Sequence, residues 1–321
     1  MNRRQIIIAG LLAGSMAMLA MPVAAADAFP SREVTLIVPW AAGGGSDAIA
    51  RALAPGLEEA LGKQVVVQNV PGAGGVVGWK QLGASEADGH TISIVTSSIL
   101  VTKHLNASEG VDFRDFAMVA HVADSPLVLL ANPSGSYKTL EDLLSDARKT
   151  PGQVRMATAG VGTMWHIGGL GLGVASGDEF TFIPFKGGNE AMPAIMGGVV
   201  EGGAGTLTEA ASFITSGKLA ALAVFSDERN PLIPDVPTLK EAGVDYRFEA
   251  WWGIMAPKGT PPEIVERLQQ ALSFSIKSEK FQTYAKQTAL TVVDKDGAEL
   301  ASRAEGEDGE FLSLLKKAGN I

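Results

Sequence analysis

Residues 34–62, VTLIVPWAAGGGSDAIARALAPGLEEALG, form the stretch from which the fold can be worked out. The β-branched run 34–38 predicts a buried strand, which Pro39 ends because proline has no amide hydrogen to donate to a sheet. Ser46 is placed to cap the helix that follows, and Pro55 predicts a kink or break near residues 51–54. Apolar residues at four-residue spacing give this helix one apolar face: Ile49, Leu53, Leu57 and Leu61.

A strand followed by glycines and a helix start is suited to binding an anion. Gly43, Gly44 and Gly45 have no Cβ, so a ligand can approach the main chain closely. The first amides of a helix have no partner within the helix, and the helix dipole favours negative charge at this end. We therefore interpret the stretch as an anion cradle.

Three other interpretations of the same glycines stay open. The spacing of Gly43, Gly45 and Ala48 fits the G-x-G-x-x-A pattern of dinucleotide-binding folds, although the next strand ends in Gln68-Asn69 without the acid that would hold a ribose. Residues 44–48 are one residue short of the G-x-S-x-G elbow of serine hydrolases, with Ser46 as the nucleophile. The glycines can also form a turn that only packs a helix against a strand.

The N-terminus has the features of a secretory signal peptide. Arg3 and Arg4 precede an apolar run, which Pro22 and the small residues Ala24 to Ala26 close. We expect cleavage after Ala26 and export to the periplasm by the general route, although the arginine pair also permits the twin-arginine route. No later segment has the roughly 18 consecutive apolar residues of a membrane helix.

Composition narrows the function classes. The chain has 321 residues, enough for two domains, and a net charge of −9 without a basic cluster, which argues against nucleic-acid binding. It has no cysteine, so disulfides and thiolate metal sites are excluded. None of the four histidines has H-E-x-x-H spacing and none follows His166, as a late triad histidine would. We expect no enzyme activity, no cofactor and no metal.

The order of elements predicts an α/β fold. Short apolar runs alternate with helical patterns, and glycine or hydroxyl residues stand between them, which is typical of parallel sheets with helices on both faces. Two apolar runs, 117–122 and 127–131, are split by Asp124-Ser125-Pro126, where we place a crossing between lobes. We expect domain 1 to comprise residues 27–123 and 226–321 and domain 2 residues 124–225. Two crossings of the chain would make a hinge.

With these patterns in view, the chain resembles the substrate-binding proteins of tripartite tricarboxylate transporters. The resemblance covers nearly all of the chain after the signal peptide, in order, and rests on the blocks VTLIVPWAAGGGSD, QVVVQNVPGAGG, ATAGVGTMWH, FKGGNEA, LAALAVFSDERNPLIPDVPT and WWGIMAPKGTPPEIV. It implies a two-lobed periplasmic-binding-protein fold of type II-like form, with two doubly wound domains joined by two crossover segments. It also implies an exported, monomeric receptor that captures a small di- or tricarboxylate and delivers it to the permease subunits.

The resemblance further implies that amides, hydroxyls and ordered waters between the lobes hold the carboxylate. The loop 42–47 matches the family's glycine loop, 158–163 its second-lobe loop with His166 at the helix start, and 187–188 a further cleft loop. The predicted ligand-binding residues are Trp40, Ala42, Gly43, Gly44, Gly45, Ser46, Asp47, Thr96, Ser97, Thr158, Gly160, Gly162, Thr163, His166, Gly187, Gly188 and Thr206.

Several of these residues have a second interpretation. His166 can make a structural hydrogen bond, Trp40 can pack in the core, and the hydroxyls of residues 96–98 can cap a helix. We expect Trp251 and Trp252 to pack rather than bind ligand.

Two departures from the family pattern bear on the ligand. Many members carry prolines where this chain has Ala41-Ala42, and many carry an acid where it has Thr206. A lost acid would suit a more anionic ligand, or one without an amino group. The alternative functions are a ligand-sensing receptor for a signalling partner and an exported serine hydrolase.

Overall fold

The computed structural model describes residues 29–106 and 108–321. The signal peptide predicted at residues 1–26 lies outside the described residues. Within the described ranges, no helix is both long enough and apolar enough to cross a membrane.

The first part of the chain forms a parallel β/α unit. Its elements are β1 (Val34–Val38), α1 (Gly45–Leu61), β2 (Val65–Asn69), α2 (Val76–Gly83), β3 (Thr91–Thr96) and α3 (Ile99–Leu105). Strand β1 has the predicted bounds and pairs in parallel with both β2 and β3. The helix after the glycines therefore starts at the carboxyl end of the central strand of this unit.

One long strand links the two halves of the molecule. The runs 117–122 and 127–131, expected to be separate, form the single 16-residue strand β4 (Phe116–Ala131). Pro126 does not end it, because β4 changes partners there: Pro126 is opposite Glu249, whereas Leu127 is opposite Thr206 of another strand. The segment in which we placed a crossing between lobes is therefore part of one continuous strand.

A second β/α unit follows this crossing. Its elements are α4 (Leu140–Lys149), β5 (Arg155–Thr158), α5 (Met164–Ser176), β6 (Thr181–Pro184), α6 (Gly188–Met196), β7 (Gly202–Thr206), α7 (Leu207–Thr215) and β8 (Ala220–Val224). Helix α4 begins with a capping box between Thr139 and Asp142. Strand β5 is parallel to β6 and β7, and β4 is antiparallel to β7 and β8.

The chain then returns to the first unit. Its last elements are β9 (Glu249–Pro257), α8 (Pro262–Lys277), α9 (Glu279–Gln287), β10 (Thr291–Asp296) and α10 (Gly297–Lys317). Strand β9 lies between β3 and β4 and is antiparallel to both. The strand order is β2-β1-β3-β9-β4-β7-β5-β6, with β8 and β10 also paired to β4.

The predicted α/β class is confirmed, with parallel pairing in each outer part and antiparallel pairing around β4 and β9. We propose that the lobes divide where β4 crosses and where the chain returns between β8 and β9, as in the predicted division 27–123 plus 226–321 and 124–225. At this place the Phe248 amide donates to Phe225 and the Leu127 amide to Phe248, so the two crossing segments lie side by side.

Helix α1 differs from expectation in two respects. It is helical from Gly45 to Leu61 with Pro55 inside it, so the break expected near residues 51–54 is absent. Here α8 packs closely on α1: a Cβ on Gly56 would lie 2.6 Å from Ser275 Cα, and the Ser275 hydroxyl donates to the Leu53 carbonyl. Ser46 does not cap the helix, whose N-cap is Gly44 and has no side-chain cap.

Candidate functional site

Helix N-termini from both units meet around one cavity. Residues at or beside the N-caps of three helices line it: Gly44 of α1, Thr163 of α5 and Gly187 of α6. The cavity measures about 40 Å³. Since one water needs about 10–15 Å³, this space holds about three waters. The full lining is Trp40, Ala41, Gly44, Gly45, Ser46, Ser98, Ala159, Thr163, Met164, Trp165, Gly187, Gly188, Asn189 and Glu209.

Two amides of the expected anion cradle already have carboxylate partners. The Gly43 amide donates to Asp47 Oδ2 at 2.9 Å, and the Gly45 amide donates to Glu209 Oε1 at 2.8 Å. The first bond closes the glycine loop on itself. The second joins the N-terminus of α1 to the first turn of α7, across the cavity.

Asp47 stabilises the loop rather than facing the cavity. Its carboxylate accepts hydrogen bonds from Arg51 Nε at 3.0 Å and from Asn69 Nδ2 at 2.9 Å, besides the Gly43 amide. Burial acts to raise the pKa of Asp47, but the hydrogen bonds from Arg51, Gly43 and Asn69 outweigh burial and hold the pKa below its usual value. Asp47 is therefore a charged structural residue that three donors of the protein hold in place.

Glu209 is fixed by donors of its own unit as well as by Gly45. Its Oε2 accepts hydrogen bonds from Trp165 Nε1 and from Thr206 Oγ1, both at 2.9 Å. Its side chain lies so close to two glycines that a Cβ on Gly45 would be 2.6 Å from Glu209 Cγ, and a Cβ on Gly188 would be 3.0 Å from Oε1. These two glycines thus make room for a protein side chain.

Ser46 and the tryptophans have packing roles. Trp252 is fully buried and its Nε1 donates to Ser46 Oγ at 2.9 Å. Trp251 is equally buried and donates to Glu307, so neither indole lines the cavity, in agreement with the expectation. Trp40 has both of the roles considered for it: it lines the cavity, and its ring packs edge-to-face on Trp79 with ring centroids 5.6 Å apart.

The three hydroxyl residues at the end of β3 are all buried, but they differ in their hydrogen-bond partners. Thr96 Oγ1 accepts the Ser98 amide at 3.3 Å. Ser97 and Ser98 are fully buried, and within the described part of the chain neither hydroxyl has a hydrogen-bond partner. Of the two, Ser98 lines the cavity. A buried polar group without a partner costs free energy, so the Ser98 hydroxyl is suited to a polar group entering the cavity.

The loop 158–163 satisfies most of its own polar groups. Thr158 Oγ1 accepts the Gly160 amide, and the Thr163 hydroxyl donates to the Gly160 carbonyl at 2.7 Å. His166 Nδ1 accepts the Gly162 amide at 3.2 Å, and its ring packs on Phe182. Burial lowers the pKa of His166 to about 4, so the ring is neutral at pH 7. His166 has the structural role that was weighed for it and does not line the cavity.

The structure therefore divides the predicted ligand-binding residues into two groups. Those lining the cavity are Trp40, Gly44, Gly45, Ser46, Thr163, Gly187 and Gly188. Those outside its lining are Ala42, Gly43, Asp47, Thr96, Ser97, Thr158, Gly160, Gly162, His166 and Thr206. Most of the second group shape the loops that carry the first.

Glu209 is the important residue absent from the prediction. Position 206 is a threonine, as the departure from the family pattern states, but an acid stands three residues later and lines the cavity. The spacing Thr206-x-x-Glu209 is a capping-box signal and marks a helix start. Thr206 Oγ1 does accept the Glu209 amide, at 3.4 Å, but the carboxylate of Glu209 reaches the N-terminus of a different helix.

The two sides of the cleft touch at its rim. Asn189 Nδ2 donates to the Ala42 carbonyl at 3.4 Å, and a Cβ on Gly74 would lie 2.8 Å from the Val161 carbonyl oxygen. The loop 71–75 contributes this rim contact and no residue of the cavity lining. Among the residues that the structure describes, no group of three or more His, Asp or Glu side chains is arranged to hold a metal ion.

Comparison with known proteins gives one consistent family. Residues 49–319 match the family model described as the tripartite tricarboxylate transporter family receptor. The chain is 35% identical over 280 residues to protein BugT of Bordetella pertussis (strain Tohama I), covering 86% of each protein.

Solved structures of the same kind superpose well on this fold. The periplasmic binding protein BugD has a TM-score of 0.86 and 32% identity over 91% of this chain and 99% of that one. MatC of Rhodopseudomonas palustris with bound malate has a TM-score of 0.86 and 28% identity, over 89% of this chain and 100% of that one. An R. palustris protein with adipate also has a TM-score of 0.86 and 28% identity, over 91% of this chain and 98% of that one.

Proposed function

The chain belongs to the tripartite tricarboxylate transporter receptor family, and on this premise we propose that it captures a small carboxylate in the cavity between its lobes and delivers it to a membrane permease of that transporter type. It follows that the chain acts in the periplasm after loss of its signal peptide, as a monomer and not as an enzyme. The malate and adipate bound by two related structures support a small organic acid as the ligand class.

The observation that carries this proposal is the convergence of helix N-termini on one cavity. The N-termini of α1, α5 and α6 come from both units of the fold and all lie at the cavity lining. The Gly45 amide is paired with Glu209, but the first amides of a helix have no partner within the helix, and each N-terminus is the positive end of its dipole. Together these helix starts favour an anion without a cationic side chain. The buried Ser98 hydroxyl adds a further donor.

The size of the cavity requires motion. Sites for small ligands usually measure about 300–1,000 Å³, far more than the cavity seen here. We therefore expect the lobes to part at the two crossing segments, admit the acid and close on it. Charge-assisted hydrogen bonds contribute roughly 1.5–3 kcal/mol each. Several of them support micromolar binding, about −8 kcal/mol, after the costs of association and closure.

A thermal-shift screen of mono-, di- and tricarboxylates tests the proposal, with the neutral amides of the same acids as controls. At least one acid should raise the melting temperature, since a ligand at 100 times its Kd adds about 2.7 kcal/mol of stability. Calorimetry on that acid should give a Kd in the micromolar range. The proposal fails if no acid shifts the transition, or if the neutral amide binds as tightly as its acid.

Uptake measurements separate delivery from sensing. Deletion of the gene should abolish uptake of the acid identified in the screen, and re-expression should restore it. If uptake continues unchanged while the purified protein binds the acid, delivery to a permease is excluded.

A further inference from the structure

The cavity has one ionisable side chain among the described residues that line it. That residue is Glu209, and the other lining residues are neutral. Asp47 lies close by in the chain but is outside the lining and paired with Arg51. An entering carboxylate thus meets a fixed negative charge with no cationic side chain on the cavity wall to offset it.

The carboxylate of Glu209 retains capacity to accept a hydrogen bond. A carboxylate has about four accepting positions. Three donors from the protein are present, namely the Gly45 amide on Oε1 and Trp165 Nε1 and Thr206 Oγ1 on Oε2. One accepting position remains, on Oε1, the oxygen near the Gly45 and Gly188 backbone.

Glu209 cannot easily withdraw from the cavity. Trp165 and Thr206 both belong to the same unit as Glu209, so they continue to hold the carboxylate when the Gly45 bond breaks on opening. Contact with Gly188, which belongs to that unit too, restricts the side chain further. Two of its three hydrogen bonds and its contact with Gly188 are thus made within its own unit.

A different part of the lining supplies the complementary donor. The Ser98 hydroxyl is fully buried, lines the cavity and has no partner within the described residues. A ligand carboxylate can accept from it and from the nearby start of α1. The cavity thus offers hydrogen-bond donors to a ligand carboxylate beside Ser98 and the start of α1. It offers one anionic acceptor, Glu209, at a separate position.

We infer that Glu209 determines ligand specificity: the site takes a small carboxylate that also carries a hydrogen-bond donor, an ammonium or a hydroxyl group, in preference to a plain di- or tricarboxylate. This rests on the proposed function. The donor group fills the remaining position on Glu209 Oε1 while the ligand carboxylate binds towards Ser98. An ammonium offsets the charge of Glu209 and forms the stronger, charge-assisted bond, so amino acids of this type bind ahead of hydroxy acids. A second carboxylate at this position is repelled.

Calorimetric titration of two matched ligand series tests this order. The first series is succinate, malate and aspartate, and the second is glutarate, 2-hydroxyglutarate and glutamate, each with both enantiomers where they exist. In at least one series the amino acid should bind tenfold or more tightly than the plain diacid, with the hydroxy acid between them. Equal affinities within both series, or tightest binding of the plain diacid, overturn the inference and leave carboxylate capture intact.

Variants assign the preference to Glu209. In Glu209→Gln, the ratio of the Kd of the plain diacid to the Kd of the amino acid should fall at least fivefold. Glu59→Gln removes an exposed carboxylate from α1 and should leave this ratio unchanged. If Glu209→Gln lowers the Kd of all members of a series by the same factor, Glu209 only competes with the ligand for the Gly45 amide, and the inference fails. Glu209→Asp keeps the charge, and it should retain the order of the series. Should no carboxylate bind the wild type at all, the proposed function fails together with this inference.

Discussion

The amide of Gly45 and the carboxylate of Glu209, 164 residues apart in sequence, are joined by a 2.8 Å hydrogen bond across the cavity. This bond places a side chain of the second unit on the helix N-terminus of the first. The amide that the glycine pattern marks as an anion site is thus engaged by an anion of the protein itself. Opening of the cleft must break this bond.

Gly45→Ala should destabilise the closed protein. The new Cβ would lie 2.6 Å from Glu209 Cγ, so the Glu209 side chain must move and lose its bonds. Overpacking of this kind typically costs about 1–3 kcal/mol. Urea denaturation monitored by circular dichroism should therefore show a lower free energy of unfolding than in the wild type.

The control for this exchange is Gly306→Ala in the middle of α10, where a Cβ meets no atom within 4 Å. There the better helix propensity of alanine should raise the free energy of unfolding by about 0.5–1 kcal/mol. If Gly45→Ala behaves like Gly306→Ala, the close packing of Glu209 on Gly45 does not constrain the fold.

Ser98→Ala should weaken ligand binding without lowering stability. The hydroxyl is buried and has no partner among the described residues, so its loss removes no hydrogen bond of the unliganded protein. A bond to a charged ligand group contributes about 1.5–3 kcal/mol, so the Kd should rise about tenfold or more. Calorimetry with the best acid from the screen and thermal denaturation measure the two effects.

Ser97→Ala is the matched control, because Ser97 is as buried as Ser98 and equally unpartnered but does not line the cavity. Its Kd should equal that of the wild type. Equal losses of affinity in both variants would show that the hydroxyls act through the loop and not through the ligand.

Stability should fall below pH 6.5 because of His166. Its pKa is about 4 in the folded protein and near 6.5 when exposed, so between these values the unfolded chain binds more protons. The free energy of unfolding therefore decreases as pH falls from 6.5 to 4, by at most about 3 kcal/mol from this residue. The decrease is absent above pH 6.5, where both states are neutral at this position.

His166→Asn isolates that contribution. The asparagine carbonyl can accept the Gly162 amide in place of Nδ1 without titrating. The difference in unfolding free energy between wild type and variant should be constant above pH 6.5 and should shift in favour of the variant towards pH 4. A difference independent of pH would mean that His166 has the same pKa in the folded and the unfolded protein.

Arg303→Leu should be strongly destabilising. Arg303 Nη1 contacts both oxygens of Asp124 at 2.9 Å, and its Nε donates to Glu307 at 2.7 Å, beside the point where β4 crosses between the units. The Asp124 side chain is only 11% exposed. Removing one partner of a buried ion pair costs about 3–5 kcal/mol when the other charge is left without a partner. Asp124 keeps its contact with His121 Nε2 at 2.7 Å, so the loss should lie towards the lower end of this range.

Arg247→Leu provides the comparison. Its ion pair with Asp227 has side-chain exposures of 77% and 60%, so its loss should cost no more than about 1 kcal/mol. Chemical denaturation of both variants checks the contrast. If the two losses are equal, the network at the crossing does not stabilise the fold more than a surface pair does.

Much of the fold was predictable because its signals are local. The β-branched run 34–38 gave β1 with its observed bounds. Helix α3, helix α9 and strand β10 were not predicted. In α3, the sequence Ile99-Leu100-Val101 has no polar face, and all three side chains are buried, so no helical periodicity was visible.

Continuity of β4 was beyond local rules. Pro126 interrupts the apolar pattern, and a proline inside a strand normally ends it. Here the partner strand changes beside Pro126, from β9 to β7, so the missing amide hydrogen falls at the junction of two sheets. This depends on where distant strands lie.

The sequence by itself determined the two β/α units, which follow from periodicity and turn residues, and the family, which follows from the resemblance of its sequence blocks. It also predicted, after β1, a helix start that is suited to binding an anion. Only the tertiary structure decided which groups face the cavity. Gly43 and Asp47 satisfy each other within one loop, whereas Gly45 is paired with a residue from the far unit. The reason is physical: a helix N-terminus accepts whichever carboxylate the fold brings within hydrogen-bond distance, and that distance is fixed by packing across the cleft, which no local pattern encodes.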